Sequence, residues 1–192
     1  MIQLGLTGGI GMGKSTVAAL FAAHDIPTFN ADDIVHQLQA PNGAAIPALS
    51  KAFPDLVKAG VLDRAGLRAL VLKDNEKMRA LEQIMHPMVR AARADFIANA
   101  HDKKAILSDI PLLFETKGQS EFDKVIVVSC PRAIQVARVQ QRGLRLEEVE
   151  AMIERQMPDA QKRALADYVI ETGGSIDDTK AQIQALIKEL GL

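Results

Sequence analysis

The chain has 192 residues, 48% of them apolar, with 23 Lys and Arg against 24 Asp and Glu. That length suits one domain with room for an inserted lobe, and the apolar share is enough for a sizeable core. A net charge of −1 gives no electrostatic case for nucleic acid or a membrane surface as the main partner. No apolar run approaches the roughly 20 residues that span a bilayer. The single cysteine, Cys130, has no internal disulfide partner. With no basic-then-apolar leader ahead of the first strand, the expectation is a cytoplasmic protein with no evident protein partner.

Ile2, Leu4 and Leu6 alternate with Gln3 and Gly5 and predict a first strand. It leads into Gly8-Gly9-Ile10-Gly11-Met12-Gly13-Lys14-Ser15, a complete G-x-x-x-x-G-K-[ST] phosphate loop. Glycines let backbone N–H groups crowd around phosphate oxygens, and the following helix adds the positive end of its dipole. Lys14 brings a mobile charge to the outer phosphates, and the Ser15 hydroxyl can coordinate Mg²⁺. Val17, Leu20 and Phe21 then recur at helical spacing among alanines. Strand, glycine loop and helix stand in the required order, so the chain is read as a nucleotide binder.

Pro27–Phe29 predicts a second strand, and Asn30-Ala31-Asp32-Asp33 follows it. In a parallel α/β sheet, ligands sit at the carboxyl ends of strands, so a carboxylate here would face the cleft of the phosphate loop. Phosphoryl transfer to a hydroxyl needs an acceptor for its proton, and Asp32 or Asp33 could serve, the other capping the next helix or facing water. Spacing favours neither.

Residues 31–100 hold no convincing strand. Helices are predicted around Ala44–Phe53, Leu67–Leu72 and Asn75–Ala100, punctuated by Pro41, Pro47, Pro54 and Pro87. This stretch reads as an inserted helical substrate lobe. His86-Pro87 interrupts the last helical pattern, and His86 is either a satisfied interior residue or a ligand contact. His24, His36 and His101 show no metal-ligand spacing.

Lys104–Asp109 and Lys124–Ser129 are apolar enough to be buried parallel strands, and Tyr168–Ile170 is a short one. A strand-terminal Asp109 in a phosphate-loop protein suits a second acidic group for Mg²⁺. Leu112, Leu113 and Phe114 follow it and suggest an apolar wall for a substrate. After Cys130, read as a buried thiol, Arg138 and Arg142 share one face of a helix that Gly143 ends. Two arginines beside a glycine hinge suit a lid, about 141–158, that brings positive charge onto a transferring phosphoryl group. The last helix starts at Ser175 with Asp178 three residues on, a capping-box-like start. Strands alternating with helices predict an α/β fold, a parallel sheet flanked by helices, with the core at about 1–30, 101–140 and 165–192.

Several segments together resemble the dephospho-CoA kinase family over essentially the whole chain. They are Leu6–Thr16, N-A-D-D at 30–33, H-P at 86–87, D-I-P-L-L-F-E at 109–115, C-P-R-A-I-Q-V-A-R-V-Q-Q-R-G-L at 130–144, I-E-R-Q-M-P at 153–158 and A-D-Y-V-I at 166–170. The resemblance implies a P-loop kinase fold and ATP-dependent phosphorylation of the ribose 3′-hydroxyl of dephospho-CoA, with Mg²⁺. It implies that Asp32 is the base and that Gly8, Gly9, Gly11, Met12, Gly13, Lys14, Ser15 and Thr16 form the ATP site. Arg138 and Arg142 then match lid-side arginines that contact ATP and the transferring group. The 31–100 lobe, with His86, Leu112 and Leu113, is similar to the part that holds the CoA moiety. Three positions depart from the family pattern: Asn30 replaces an Asp, Met152 stands where an Arg is common, and Glu171-Thr172-Gly173 replaces Asp-Asn-x-Gly. A nucleoside or nucleotide kinase shares every physical argument except this resemblance. A GTPase switch would need an N-K-x-D element, and none of the asparagines begins one.

Overall fold

Alternation places Leu4 and Leu6 of β1 (Ile2–Thr7) in one layer of core and leaves Gly5 facing the other. A Cβ on Gly5 would lie 2.9 Å from the Phe122 ring, so the strand needs glycine there to let that layer close. The computed structural model describes residues 1–192. After β1 come α1 (Lys14–Ala22), β2 (Thr28–Asn30), α2 (Ala31–Leu38), α3 (Ile46–Ala52), β3 (Val57–Lys58), β4 (Val61–Leu62), α4 (Arg64–Val71) and α5 (Asn75–Asn99). Then follow β5 (Ala105–Asp109), β6 (Lys124–Ser129), α6 (Arg132–Gln140), α7 (Leu146–Glu154), α8 (Asp159–Leu165), β7 (Tyr168–Glu171) and α9 (Ile176–Glu189).

The chain divides into two units, one of residues 1–29 and 100–192, the other of residues 30–99. In the first, the sheet order is β2-β5-β1-β6-β7. β1 pairs in parallel with β5 and β6, and β6 in parallel with β7. All four strands therefore point their carboxyl ends the same way. The phosphate loop, Asp109, Cys130 and Thr172 follow or end those strands and so share one edge, the edge where open α/β sheets bind ligands.

β6 shows why both faces are covered. Ile126 and Val128 pack with Leu4, Leu6, Val17, Phe21, Ile183 and Leu186, under α1 and α9. Val125 and Val127 pack on the opposite face with Leu113 and Phe114. This continuous β-branched burial is what a central parallel strand requires. α9 starts as its sequence indicates: Ser175 and Asp178 cap one another reciprocally.

The second unit has its own core of Ala45, Ile46, Leu49, Phe53, Leu62, Leu67, Val71 and Met85. It is not wholly helical. β3 and β4 form an antiparallel hairpin across Ala59 and Gly60, both at positive φ (48° and 76°), as a two-residue type I′ turn demands. Alanine at the first turn position hid that hairpin from sequence reasoning. α5 runs 25 residues straight through Pro87. Gln83 and Pro87 are both exposed, so the gap that the missing N–H leaves in the helix ladder falls on an exposed face.

Candidate active site

The phosphate loop takes the backbone its glycines permit. Gly11 has φ 76° and Gly13 φ 93°, and Gly13 is the N-cap of α1. A Cβ on Gly11 would lie 2.5 Å from Val139 Cγ2 and 2.9 Å from the Gln135 carbonyl. Conformation and space therefore both exclude a side chain there. α1 begins at Lys14 with no side-chain cap, so its first N–H groups face the loop's concavity.

Lys14 Nζ lies 3.0 Å from Asp109 Oδ1, and the two side chains are 16% and 7% exposed. The sheet register explains the meeting, because Asp109 sits beside Leu6 on the neighbouring strand, just before the loop. Ser15 and Thr16 are exposed. They line a hollow of about 460 Å³ with Gly11, Gly13, Arg142 and Thr172. Arg142 is exposed and has no ion-pair partner. Arg138 differs: Nη1 donates to Thr172 Oγ1 (3.0 Å) and Nη2 to the Thr172 carbonyl (2.6 Å). Thr172 Oγ1 in turn donates to the Met12 carbonyl of the loop at 2.6 Å. The two arginines do not share a helix face as their spacing predicts: α6 ends at Gln140, and Arg142 lies beyond it in the turn that leads to Gly143. Arg138 braces the loop through Thr172, and Arg142 is free to meet an anion.

On the loop's other side, a second hollow of about 520 Å³ is lined by Gly9, Met12, Cys130, Gln135, Gln156 and Lys162, among others. Lys162 is fully buried. Its Nζ is 2.8 Å from Glu115 Oε1 and 3.4 Å from the Pro111 carbonyl, which also accepts from Thr7 Oγ1 at 3.1 Å. Burial pushes the Glu115 carboxyl up, but the Lys162 ammonium and the Met157 amide outweigh it and hold the group below its usual range. This pair ties the 110–115 loop to α8, and the Met157 amide ties it to the segment between α7 and α8. Burial also pushes the Cys130 thiol up, so it is a packing residue rather than a nucleophile.

The apolar wall suggested at 112–114 is smaller than its sequence indicates. Leu112 is exposed, but Leu113 and Phe114 are core residues packed on Val125 and Val127. Leu113 is 1% exposed and offers a substrate no surface, because it fills the space beside Gly5.

In the second unit, Asn30 caps α2, its side chain accepting from the Asp32 and Asp33 amides at 3.0 and 3.2 Å. Neither aspartate is needed as the cap, and both carboxylates are exposed in the first turn. His86 is exposed rather than interior and lines an open groove of about 400 Å³ on α5 with Arg79 and Arg90. Nowhere do three His, Cys, Asp or Glu side chains gather in a way that could hold a metal ion by themselves.

No local sequence signal marks Thr172, Lys162, Gln135 or Gln156 as part of the site. Thr172 stood out only as a departure from a family pattern, and Gln156 only as one letter of a matching run. Their partners lie far off in sequence, 146 residues away for Gln156, and no local period reports such contacts.

The family model described as CoaE, dephospho-CoA kinase, matches residues 2–178. A dephospho-CoA kinase of Rhizobium meliloti is 43% identical over 193 residues, covering 99% of this chain and 98% of the relative. The crystal structure of TT1252 from Thermus thermophilus superimposes with a TM-score of 0.88 at 36% identity, covering 98% of this chain and 97% of that one. Dephospho-CoA kinase from Campylobacter jejuni gives a TM-score of 0.66 at 27% identity, with 98% and 96% covered. With a matching family model over nearly its whole length and this loop at its sheet edge, the chain belongs to the dephospho-CoA kinase family.

Proposed function

We propose that this chain transfers the γ-phosphoryl group of ATP to the ribose 3′-hydroxyl of dephospho-CoA, giving coenzyme A and ADP. The observation that carries the reading is the phosphate loop with Lys14 already held at its mouth by Asp109, in a chain of this family. The loop amides and the α1 N-terminus receive the donor's phosphates. Lys14 exchanges Asp109 for the outer phosphate oxygens, and Arg142 adds charge where it develops in transfer. Asp32 accepts the proton of the attacking hydroxyl, its amide engaged by Asn30 and its carboxylate open.

Mg²⁺ is the implied companion of ATP. The Ser15 hydroxyl and the Asp109 carboxylate are hard oxygen donors at the loop and would help hold it. Bound there, Mg²⁺ neutralises phosphate charge. His86 and Leu112 are proposed contacts for the CoA moiety. The α5 groove, where Arg79 and Arg90 outnumber the carboxylate of Glu82 beside His86, suits an acceptor that itself carries phosphates. Both substrates are water-soluble, and the cytoplasm is the proposed compartment; no helix is long and apolar enough to cross a membrane.

The test is acceptor-dependent ADP formation. Purified protein with ATP and Mg²⁺ is given dephospho-CoA or a panel of nucleosides. Turnover with dephospho-CoA alone is the expected result. Turnover with a nucleoside alone would replace this reading by a nucleoside kinase.

A further inference from the structure

The tip of the phosphate loop is gripped from behind by two glutamines. Ile10 N–H donates to Gln156 Oε1 at 2.9 Å, and Gln135 Nε2 donates to the Ile10 carbonyl at 2.8 Å. Gln135 is 2% exposed and lies on α6, while Gln156 follows α7. The two contacts therefore reach the same residue from either end of the 141–155 segment.

What they grip is a turn. Met12 N–H donates to the Gly9 carbonyl at 3.2 Å, and Gly11, third of the four residues, has φ 76°. That combination is a type II turn, which differs from type I by a flip of its central peptide. Here the central peptide joins Ile10 to Gly11. Its carbonyl and its N–H point in opposite directions, because a trans peptide is planar. Holding the Ile10 carbonyl on the glutamine side therefore holds the Gly11 N–H on the opposite side. Gly9 and Met12 line the hollow that contains both glutamines, whereas Gly11 lines the one that contains Ser15, Thr16 and Arg142.

We infer that Gln135 is a positioning residue that fixes the flip state of the Ile10–Gly11 peptide, while Gln156 holds the preceding Gly9–Ile10 peptide, so that the Gly11 N–H is aimed at the nucleotide's phosphates before the nucleotide arrives. Gln135 must be a donor and Gln156 an acceptor. The inference rests on the loop being the ATP site and does not depend on which molecule accepts the phosphoryl group.

Polarity of the hydrogen bonds provides the test. Gln135→Glu and Gln156→Glu add the same charge against the same residue. Only the first opposes two acceptors and favours the flipped peptide. ATP affinity is measured by calorimetry without acceptor, alongside the melting temperature. Gln135→Glu is expected to weaken ATP binding by about 10- to 100-fold, the scale of one hydrogen bond to a charged group. Gln156→Glu keeps the acceptor and should weaken it less than about threefold, and the acceptor's KM should hold in both. Equal losses in the two variants would mean that charge alone acts, and would overturn the inference. If Gln135→Glu does not fold, Gln135→Met decides: it lacks the donor and adds no charge, and unchanged ATP affinity in it would also overturn the inference. Wild-type protein that binds ATP but leaves dephospho-CoA untouched would undo the proposed acceptor and leave this inference in place.

Discussion

Lys162→Met isolates the buried pair behind the phosphate loop. Methionine keeps much of the side chain's volume and removes only the ammonium. Glu115 is left with the Met157 amide at 2.9 Å, and its Oε2, already without a hydrogen-bond partner, gains none. Breaking a buried pair from one side costs about 3–5 kcal/mol. The Glu115 side chain is 21% exposed and keeps that amide, so the lower end applies, about 3 kcal/mol. In a chain of this size that lowers the melting temperature by roughly 6–12 °C. Urea titration of wild type, Lys162→Met, Glu115→Gln and the double variant forms the cycle. Because replacing both partners of a buried pair is often nearly neutral, the double variant should regain most of the loss. The pH dependence has a definite sign. The folded-state value of Glu115 lies below its usual range, so its stabilisation is complete above that range and fades as pH falls through the folded value. Without Lys162, burial is opposed only by backbone amides, and protonation relieves the carboxyl more readily than in the wild type. The gap between wild type and Lys162→Met should therefore narrow on acidification. A single-variant cost below about 1 kcal/mol, the scale of an exposed pair, or a gap that widens at low pH, would refute the reasoning.

Lys14→Met should cut turnover by on the order of 10²–10³-fold, as loss of one transition-state donor does, and near-normal turnover would remove the loop from the chemistry. Asp32→Asn should lower kcat by about 10²–10⁴-fold with little change in ATP affinity, because a base acts on the chemical step. If Asp33→Asn carries that loss instead, the assignment within the pair reverses. Arg138→Ala and Arg142→Ala should separate. The first lowers both melting temperature and ATP affinity, since it unties Thr172 from α6, while the second lowers turnover at an unchanged melting temperature. Identical behaviour would contradict their different partners.

Local signals carried much of the fold. The glycine loop, the apolar runs of β5 and β6, and the Ser175 cap each report on residues within a few positions, and the structure has each where the sequence places it. The β3–β4 hairpin escaped because its turn uses Ala59 where Asn or Asp would have signalled it. Leu113 and Leu112 are neighbours of the same type, and only packing against the sheet tells the buried one from the exposed one. Within the candidate site, Lys14 was legible from the glycine-loop motif and Asp109 as an acidic residue ending a predicted strand. Their pairing required the register that sets Asp109 beside Leu6. Arg138 and Arg142 looked equivalent by spacing, yet Thr172, 34 residues away, engages only Arg138. The glutamine grip and the Lys162–Glu115 pair were illegible for the same reason: each joins neutral-looking or surface-type residues across the fold.

In the proposed reaction the phosphoryl group of the loop's ATP passes to dephospho-CoA. ADP release measured with ATP and Mg²⁺, with and without dephospho-CoA, addresses it directly, with the product identified by mass as coenzyme A. Release is expected to be negligible without acceptor and to rise saturably with dephospho-CoA, one ADP per coenzyme A formed. Release at the same rate with and without dephospho-CoA would contradict the proposed transfer.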